Sequence, residues 1–267
     1  MIKRNRRIFG AISLTLGMVA LMLILLLTAL HVVGTDGALY FSEQMKANIL
    51  TRAGVSEADL RMLDGRLADY LAGNEAALDE GDGVVPVEVF GEVQPAFNDR
   101  EMAHMEDCFK LFVLLRKVRA RLIPWAVLLI VGGAYLLSDR RKARLCAGLS
   151  PLILLLPLGA FGVWAAVDFD GAFTFFHRVL FTNDLWLLNS RTDLLIRICP
   201  ERMFMAMGLR IGLWGLAALA GVPALAVLLT FIWPKSKQDE ANPWKDNRVI
   251  GDASAPRPKT FDVGGKR

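Results

Sequence analysis

The sequence predicts an all-α polytopic membrane protein with four transmembrane helices, both termini cytoplasmic, and a mainly helical extracytoplasmic cap. Three observations carry that prediction. Of 267 residues 54% are hydrophobic and the mean hydropathy is +0.39, above the roughly 45–50% apolar share of soluble domains. The excess falls in four blocks, each long enough to cross a bilayer. Charge is also segregated, with basic residues at the ends of apolar blocks and acidic ones in one long loop. The net charge of +4 therefore reflects topology and implies no nucleic-acid partner. A soluble enzyme, secreted or cytosolic, is excluded.

A short basic N-terminus, residues 1–7, precedes the first block, Ile8–Val33, whose 26 residues include no Asp, Glu, Lys or Arg. A signal-peptide core is only about 7–15 residues long and ends at a small-x-small cleavage site, so this block reads as an uncleaved anchor. The second span, Leu122–Ser138, contains Pro124 and Gly132-Gly133. The third runs over Leu145–Val167 and the fourth over Ile211–Trp233. A 23-residue helix covers roughly 34 Å, enough for a hydrocarbon core of about 30 Å.

Orientation follows from the short basic segments: Lys3, Arg4, Arg6 and Arg7, then Arg140, Arg141, Lys142 and Arg144 in the 139–144 link, then Lys235 and Lys237. All lie on one side if both termini are cytoplasmic. Residues 34–121 and 168–210 are then outside, and residues 34–109 carry 16 acidic groups against 5 basic ones. Arg116, Lys117, Arg119 and Arg121 conflict with the rule, because they stand just outside span two; snorkelling to lipid phosphates would reconcile them. The polar tail, 234–267, is expected to be cytoplasmic and disordered.

The first external loop holds structure of its own. Ser56 and Asp59 open a capped amphipathic helix with Leu60, Leu63, Leu67 and Leu71 on one face, ending near Gly73. Residues 79–83 read as a turn, and Val84–Val93 as a short hairpin or edge strands. Asn98 with Glu101 resembles a helix cap and its partner. The helix that follows puts Glu101, His104, Cys108 and Leu111 on one face, with Asp107 in reach of the same side. The second loop is aromatic and lies in the interface, with Asn183-Asp184 as a turn or a second cap.

Chemistry is sought first at the histidines, of which there are three. His31 lies at the end of span one and reads as an interfacial polar residue. His104 and His177 each stand beside a predicted membrane boundary with a carboxylate nearby in sequence: Glu101 or Asp107 for one, Asp184 for the other. A carboxylate orients an imidazole and strengthens it as a base, but the same residues could be structural. A metal site is the rival explanation, although no H-E-x-x-H spacing occurs. There is no G-x-S-x-G elbow and no glycine-rich phosphate loop. No span carries an ionisable acid or base in its interior, which argues against an ion-coupled transporter. Cys108 and Cys199 both fall outside, so either a disulfide or two buried small residues fits them; Cys146 belongs at the cytoplasmic face.

Two segments carry a resemblance. Asn98-Asp-Arg100-Glu101-Met-Ala-His104-Met105-Glu-Asp107 resembles a stretch of N-x-R-E-x-x-H-M-x-D form. Phe176-His177-x-x-x-Phe181-x-Asn183-Asp184-x-Trp186, followed by Asp193 to Ile196 and Pro200, resembles a second signature. Both are similar to those of the Lit family, lipoprotein intramolecular transacylases with four spans, over roughly residues 8–233. Cys108 departs from the pattern, where a small aliphatic residue is expected, and so does the long tail.

The resemblance implies a bacterial cytoplasmic-membrane acyltransferase whose substrate is a diacylated lipoprotein and whose surroundings are membrane lipids. It would move the sn-2 acyl chain of the diacylglyceryl group to the α-amino group of the same N-terminal cysteine, leaving a lyso-form lipoprotein. Catalysis is expected from His104 and His177 at the outer leaflet, with His177 as base and His104 as its partner. Glu101, Asp107 and Asp184 would fix the imidazoles, Arg100 and Arg178 would meet substrate charge or form salt bridges, and Asn183 and Trp186 complete the motif. No cofactor and no metal are expected. A non-enzymatic lipoprotein-binding scaffold, or a metal-dependent hydrolase using His104, Asp107 and His177, remains the alternative.

Overall fold

The computed structural model describes residues 2–79, 84–137 and 140–232. Most of the expected 79–83 turn, Ser138, Lys235, Lys237 and the 234–267 tail lie outside these residues. Four helical stretches, Arg4–Gly34, Asp99–Leu137, Arg141–Val167 and Glu201–Leu228, are long and apolar enough to cross a membrane. Helix α1 spans Ile2–Gly34. The cap then contains α2 (Gly37–Lys46), α3 (Ile49–Ala53) and α4 (Glu57–Ala72), a 3-10 turn, and an antiparallel hairpin of β1 (Pro86–Val89) with β2 (Glu92–Pro95). Next come α5 (Asp99–Leu137), α6 (Arg140–Leu149), α7 (Leu152–Val167), α8 (Phe169–Leu180), α9 (Leu194–Ile198) and α10 (Glu201–Ile232).

Helix α5 carries the expected helical run on past Leu111 without a break. The cap helix beginning after Asn98 and the second span are one 39-residue helix, with Pro124 inside it. No glycine or capping residue interrupts the chain between Leu111 and Leu122, so nothing ends the helix at the membrane boundary. The third span is conversely two helices. Ser150-Pro151 separates α6 from α7, the Ser150 hydroxyl donating to the Ala147 carbonyl at 2.9 Å. Arg141, Lys142 and Arg144, read from sequence as part of a link, belong to α6.

Helices α1 and α5 pack along a glycine seam. A Cβ on Gly133 would stand 2.5 Å from the Leu14 backbone nitrogen, and one on Gly10 would stand 2.6 Å from that of Leu137. Gly17 likewise faces Ile130, and Gly34 faces the Phe112 ring. These contacts set an antiparallel register in which Lys117–Arg121 lie level with Leu26–Leu30. Small residues permit such close backbone approach where apolar solvent gives helices no hydrophobic reason to associate. Away from the seam, large apolar groups such as Trp125, Val131, Leu156, Val163 and Trp214 are exposed, and α7 buries no residue. Water would penalise that surface; lipid does not.

The cap has its own core of Ile49, Leu60, Leu63, Leu67, Leu78, Val87, Phe97, Met105 and Ile198. Ser56 caps α4 by accepting from the Asp59 amide at 3.0 Å, and Gly73 closes it at φ 125°. The hairpin turns at Phe90 and Gly91, both at positive φ, as a two-residue turn requires. Gln44 joins α2 to α4 by donating to the buried Asp64 at 2.8 Å, and burial pushes the Asp64 carboxyl up to about 7. Cys108, Cys146 and Cys199 are all free thiols, so the disulfide left open by the sequence does not form.

Replacing Gly133 by Leu must part α1 from α5. Overpacking of this kind costs about 1–3 kcal/mol, so the thermal midpoint in detergent should fall, whereas Gly132→Leu, where a Cβ meets nothing within 4 Å, should leave it near the parent value.

Candidate active site

The site begins at the first turn of α5, whose amides have no partners within the helix. Asn98 Oδ1 accepts from the Arg100 and Glu101 amides at 3.0 Å each, and Glu101 Oε2 accepts from the Asn98 amide at 2.8 Å. The other Glu101 oxygen, Oε1, accepts from the Leu195 amide at 2.6 Å, at the start of α9. Glu101 is only 1% exposed, so one buried carboxylate ties together segments 94 residues apart. A second tie lies beside it: Asn98 Nδ2 donates to Asp193 Oδ1 at 3.0 Å, and Asp193 Oδ2 accepts from the Asn189 amide at 2.7 Å. Burial alone would raise the Asp193 carboxyl, but hydrogen bonds from Asn189, Thr192 and Asn98 hold it below the usual range.

One turn further along α5 stands His104. Helix α8, capped by Asp168 through the Gly171 amide at 2.9 Å, carries His177. Both imidazoles are buried, and their ring centroids are 6.2 Å apart. His177 sits among aromatic rings: Phe173 at 4.0 Å, Trp186 at 4.9 Å, and Phe176 and Phe181 at 5.6 Å each. Phe181 also meets His104 edge-on at 5.4 Å. This apolar surround disfavours the imidazolium and lowers the His177 pKa from its ordinary value.

His177 Nδ1 lies 2.8 Å from the Phe173 carbonyl oxygen. A carbonyl only accepts, so Nδ1 carries the proton and Nε2 keeps its lone pair. His104 Nε2 lies 3.6 Å from Cys108 Sγ, while its Nδ1 is buried without a partner among the described residues.

The carboxylates expected to fix these rings are engaged elsewhere. Glu101 serves two backbone amides, because its side chain leans toward the helix N-terminus where bare N–H groups cluster. Asp107 accepts from Asn183 Nδ2 at 2.8 Å. For Asp184 it is the backbone carbonyl that is used, accepting from the Arg100 guanidinium. Their work is one shell removed: they fasten the loop that supplies the rings. Asn183 is the knot, for it also accepts from the Leu185 amide at 3.0 Å and, through its carbonyl, from the Trp186 indole at 3.0 Å. Arg178 stands apart, exposed, lining an open cleft of about 480 Å³ with Trp164, Asp170, Thr174 and Phe175. Neither histidine lines that cleft.

Sequence reasoning missed the Phe173 carbonyl, the Asp193 tie and the Cys108 contact. The first and last had a signal, since each lies four residues from a histidine and so one turn away on a helix. Among the described residues no group of three or more His, Cys, Asp or Glu is arranged to hold a metal ion.

The family Lipoprotein intramolecular transacylase Lit matches residues 15–204, a stretch that includes both histidine segments and most of the chain. The chain belongs to the Lit family. Among solved structures it is similar to the membrane-integral lipoprotein intramolecular transacylase Lit from Bacillus cereus, at 21% identity and TM-score 0.54, covering 90% of this chain and 99% of that one. A variant of that protein with one histidine changed to alanine matches at 21% identity, TM-score 0.52, over 90% and 96% of the two chains. Comparison with curated proteins finds no match. As a Lit-family protein the chain is an acyltransferase, a lipoprotein intramolecular transacylase, integral to the membrane and acting on lipoproteins there.

Histidine NMR tests the electrostatics of the cage. His177 should titrate below the ordinary value of about 6.5, and Trp186→Ala, which admits water to the ring, should move it upward; an unchanged or lower value would contradict burial as the cause.

Proposed function

We propose that this Lit-family transacylase moves the sn-2 acyl chain of a lipoprotein's diacylglyceryl group to the α-amino group of the same cysteine, at the outer leaflet, with both termini cytoplasmic. His177 is the base and His104 the group that polarises the ester. The observation that carries these roles is the Phe173 contact, which leaves His177 Nε2 as a lone pair in a dry aromatic cage beside His104.

The balance of the step is simple. The α-amine nitrogen attacks the sn-2 carbonyl carbon, an N–C bond forms, and the C–O bond to glycerol breaks. His177 Nε2 takes a proton from the attacking nitrogen and delivers it to the departing sn-2 oxygen. Starting from the ammonium, one further proton goes to solvent. The reference pKa of an α-amine is about 7.7–8.0, close enough to an imidazole for that transfer. His104 donates a hydrogen bond to the carbonyl oxygen as it gains negative charge. Ester and amine belong to one molecule, so the enzyme's task is to fold the lipid head back on itself; positioning of this kind is worth roughly 7–11 kcal/mol. An ester-to-amide exchange runs downhill without an activated donor.

Mass spectrometry of a tracer lipoprotein's N-terminal peptide, from a host unable to N-acylate, tests the proposal. With the protein present the parent mass should be unchanged, while fragments show one acyl chain moved from glycerol to nitrogen. His177→Ala and His104→Ala should each lower conversion by about 10²–10⁴-fold without loss of expressed protein. No movement of the chain with well-expressed parent protein would overturn it.

A further inference from the structure

We propose that Lys117 and Arg121 form a binding belt for the phosphate of an anionic phospholipid that is not the substrate. The α1–α5 register places them level with Leu26–Leu30, inside the uncharged Ile8–Val33 run and not beyond its end. Arg116 next to them is anchored, donating to the Leu71 carbonyl at 2.9 Å. Lys117 and Arg121, four residues apart and so on one helix face, are exposed, and neither makes a hydrogen bond or ion pair among the described residues; Arg119 between them turns toward His31 of α1. Unpaired cations at that depth are costly unless an anion meets them.

The transacylation substrate does not supply that anion. Its diacylglyceryl group is attached through a thioether and holds no phosphate, and its head carries an ammonium that a cationic belt repels. A membrane phospholipid brings the right charge at the right height.

Native mass spectrometry of the full chain in detergent, with phosphatidylglycerol or phosphatidylcholine added, reads this directly. Phosphatidylglycerol adducts should survive at several-fold higher abundance than phosphatidylcholine adducts. They should disappear in K117Q/R121Q and persist in the charge-conserving K117R/R121K, which also controls for folding. Equal retention of the two lipids, or retention by the glutamine variant, would overturn the belt.

A different observation carries a second inference, which rests on the two-histidine proposal above. We infer that the Cys108 thiol is a positioning residue that donates to His104 Nε2 and holds the ring as its Nδ1–H tautomer. The Sγ···Nε2 distance is 3.6 Å, and His104 is only 8% exposed with Nδ1 unpartnered among the described residues. An imidazole lone pair is a far better acceptor than a thiol sulfur, so S–H···N is the stronger way to make this contact. Nδ1–H is then the ring's one donor without an acceptor, the donor a developing oxyanion needs.

Cys108→Ala should lower kcat about tenfold at unchanged KM, less than the loss of a whole oxyanion donor. Cys108→Ser, which keeps a donor, should retain most of the activity. Labelled-histidine ¹⁵N shifts should report Nδ1–H at His104 in the parent and a tautomer mixture in the alanine variant. Parental kcat in Cys108→Ala, or an Nε2–H ring in the parent, would overturn the inference; activity surviving in His104→Ala would instead overturn the two-histidine proposal.

Discussion

The site depends on one buried carboxylate. Glu101 accepts from an amide at the start of α5 and from another at the start of α9, and the second, in the buried core, would be an unmet donor without it. An unsatisfied buried donor costs about 1–3 kcal/mol, so the Leu195 bond locks α9, which follows the His177 loop, onto the helix that carries His104. With α9 held to α5, Asp193 closes on Asn98, the 183–186 turn lies over Asp107, and Trp186 comes to rest on His177. The distance between two imidazoles is thus set by hydrogen bonds in which neither imidazole takes part.

That arrangement divides labour between polarity and dryness. A carboxylate beside His177 would have raised its basicity but favoured the imidazolium. Here aromatic rings surround His177, and a backbone carbonyl orients it. A carbonyl fixes the tautomer without adding a full negative charge, so the ring stays neutral and ready to accept a proton.

Much of this was legible in the residues. Four spans follow from apolar run length, α4 from its Ser56 cap and leucine spacing, and the start of α5 from Asn98 and Glu101. Those features are local, encoded within a turn or two of chain. The histidine pair was legible as two motifs, but their partners were not. Glu101 sits three residues before His104 and shares its helix face, which suggests an acid–imidazole pair; what decides otherwise is Leu195, far along the chain, whose buried amide donates to that carboxylate. Helix α5 was legible as a helical run heading toward the second span. Charge and hydropathy change sharply at Arg121-Leu122, yet backbone hydrogen bonding does not notice side-chain polarity, and the helix runs through.

The continuity of α5 makes the height and the facing of His104 a single variable. Each residue in the stretch between Phe112 and Arg121 adds about 1.5 Å of rise and turns everything above it by about 100°. A loop at this place would absorb an inserted residue. A helix instead swings the imidazole away from His177 while lifting it, and only a change of about seven residues, close to two full turns, restores the facing. By then the ring has moved roughly 10 Å along the axis. The active site is therefore cut to one membrane depth, and a relative working in a thicker or thinner bilayer must change its tilt in place of its length.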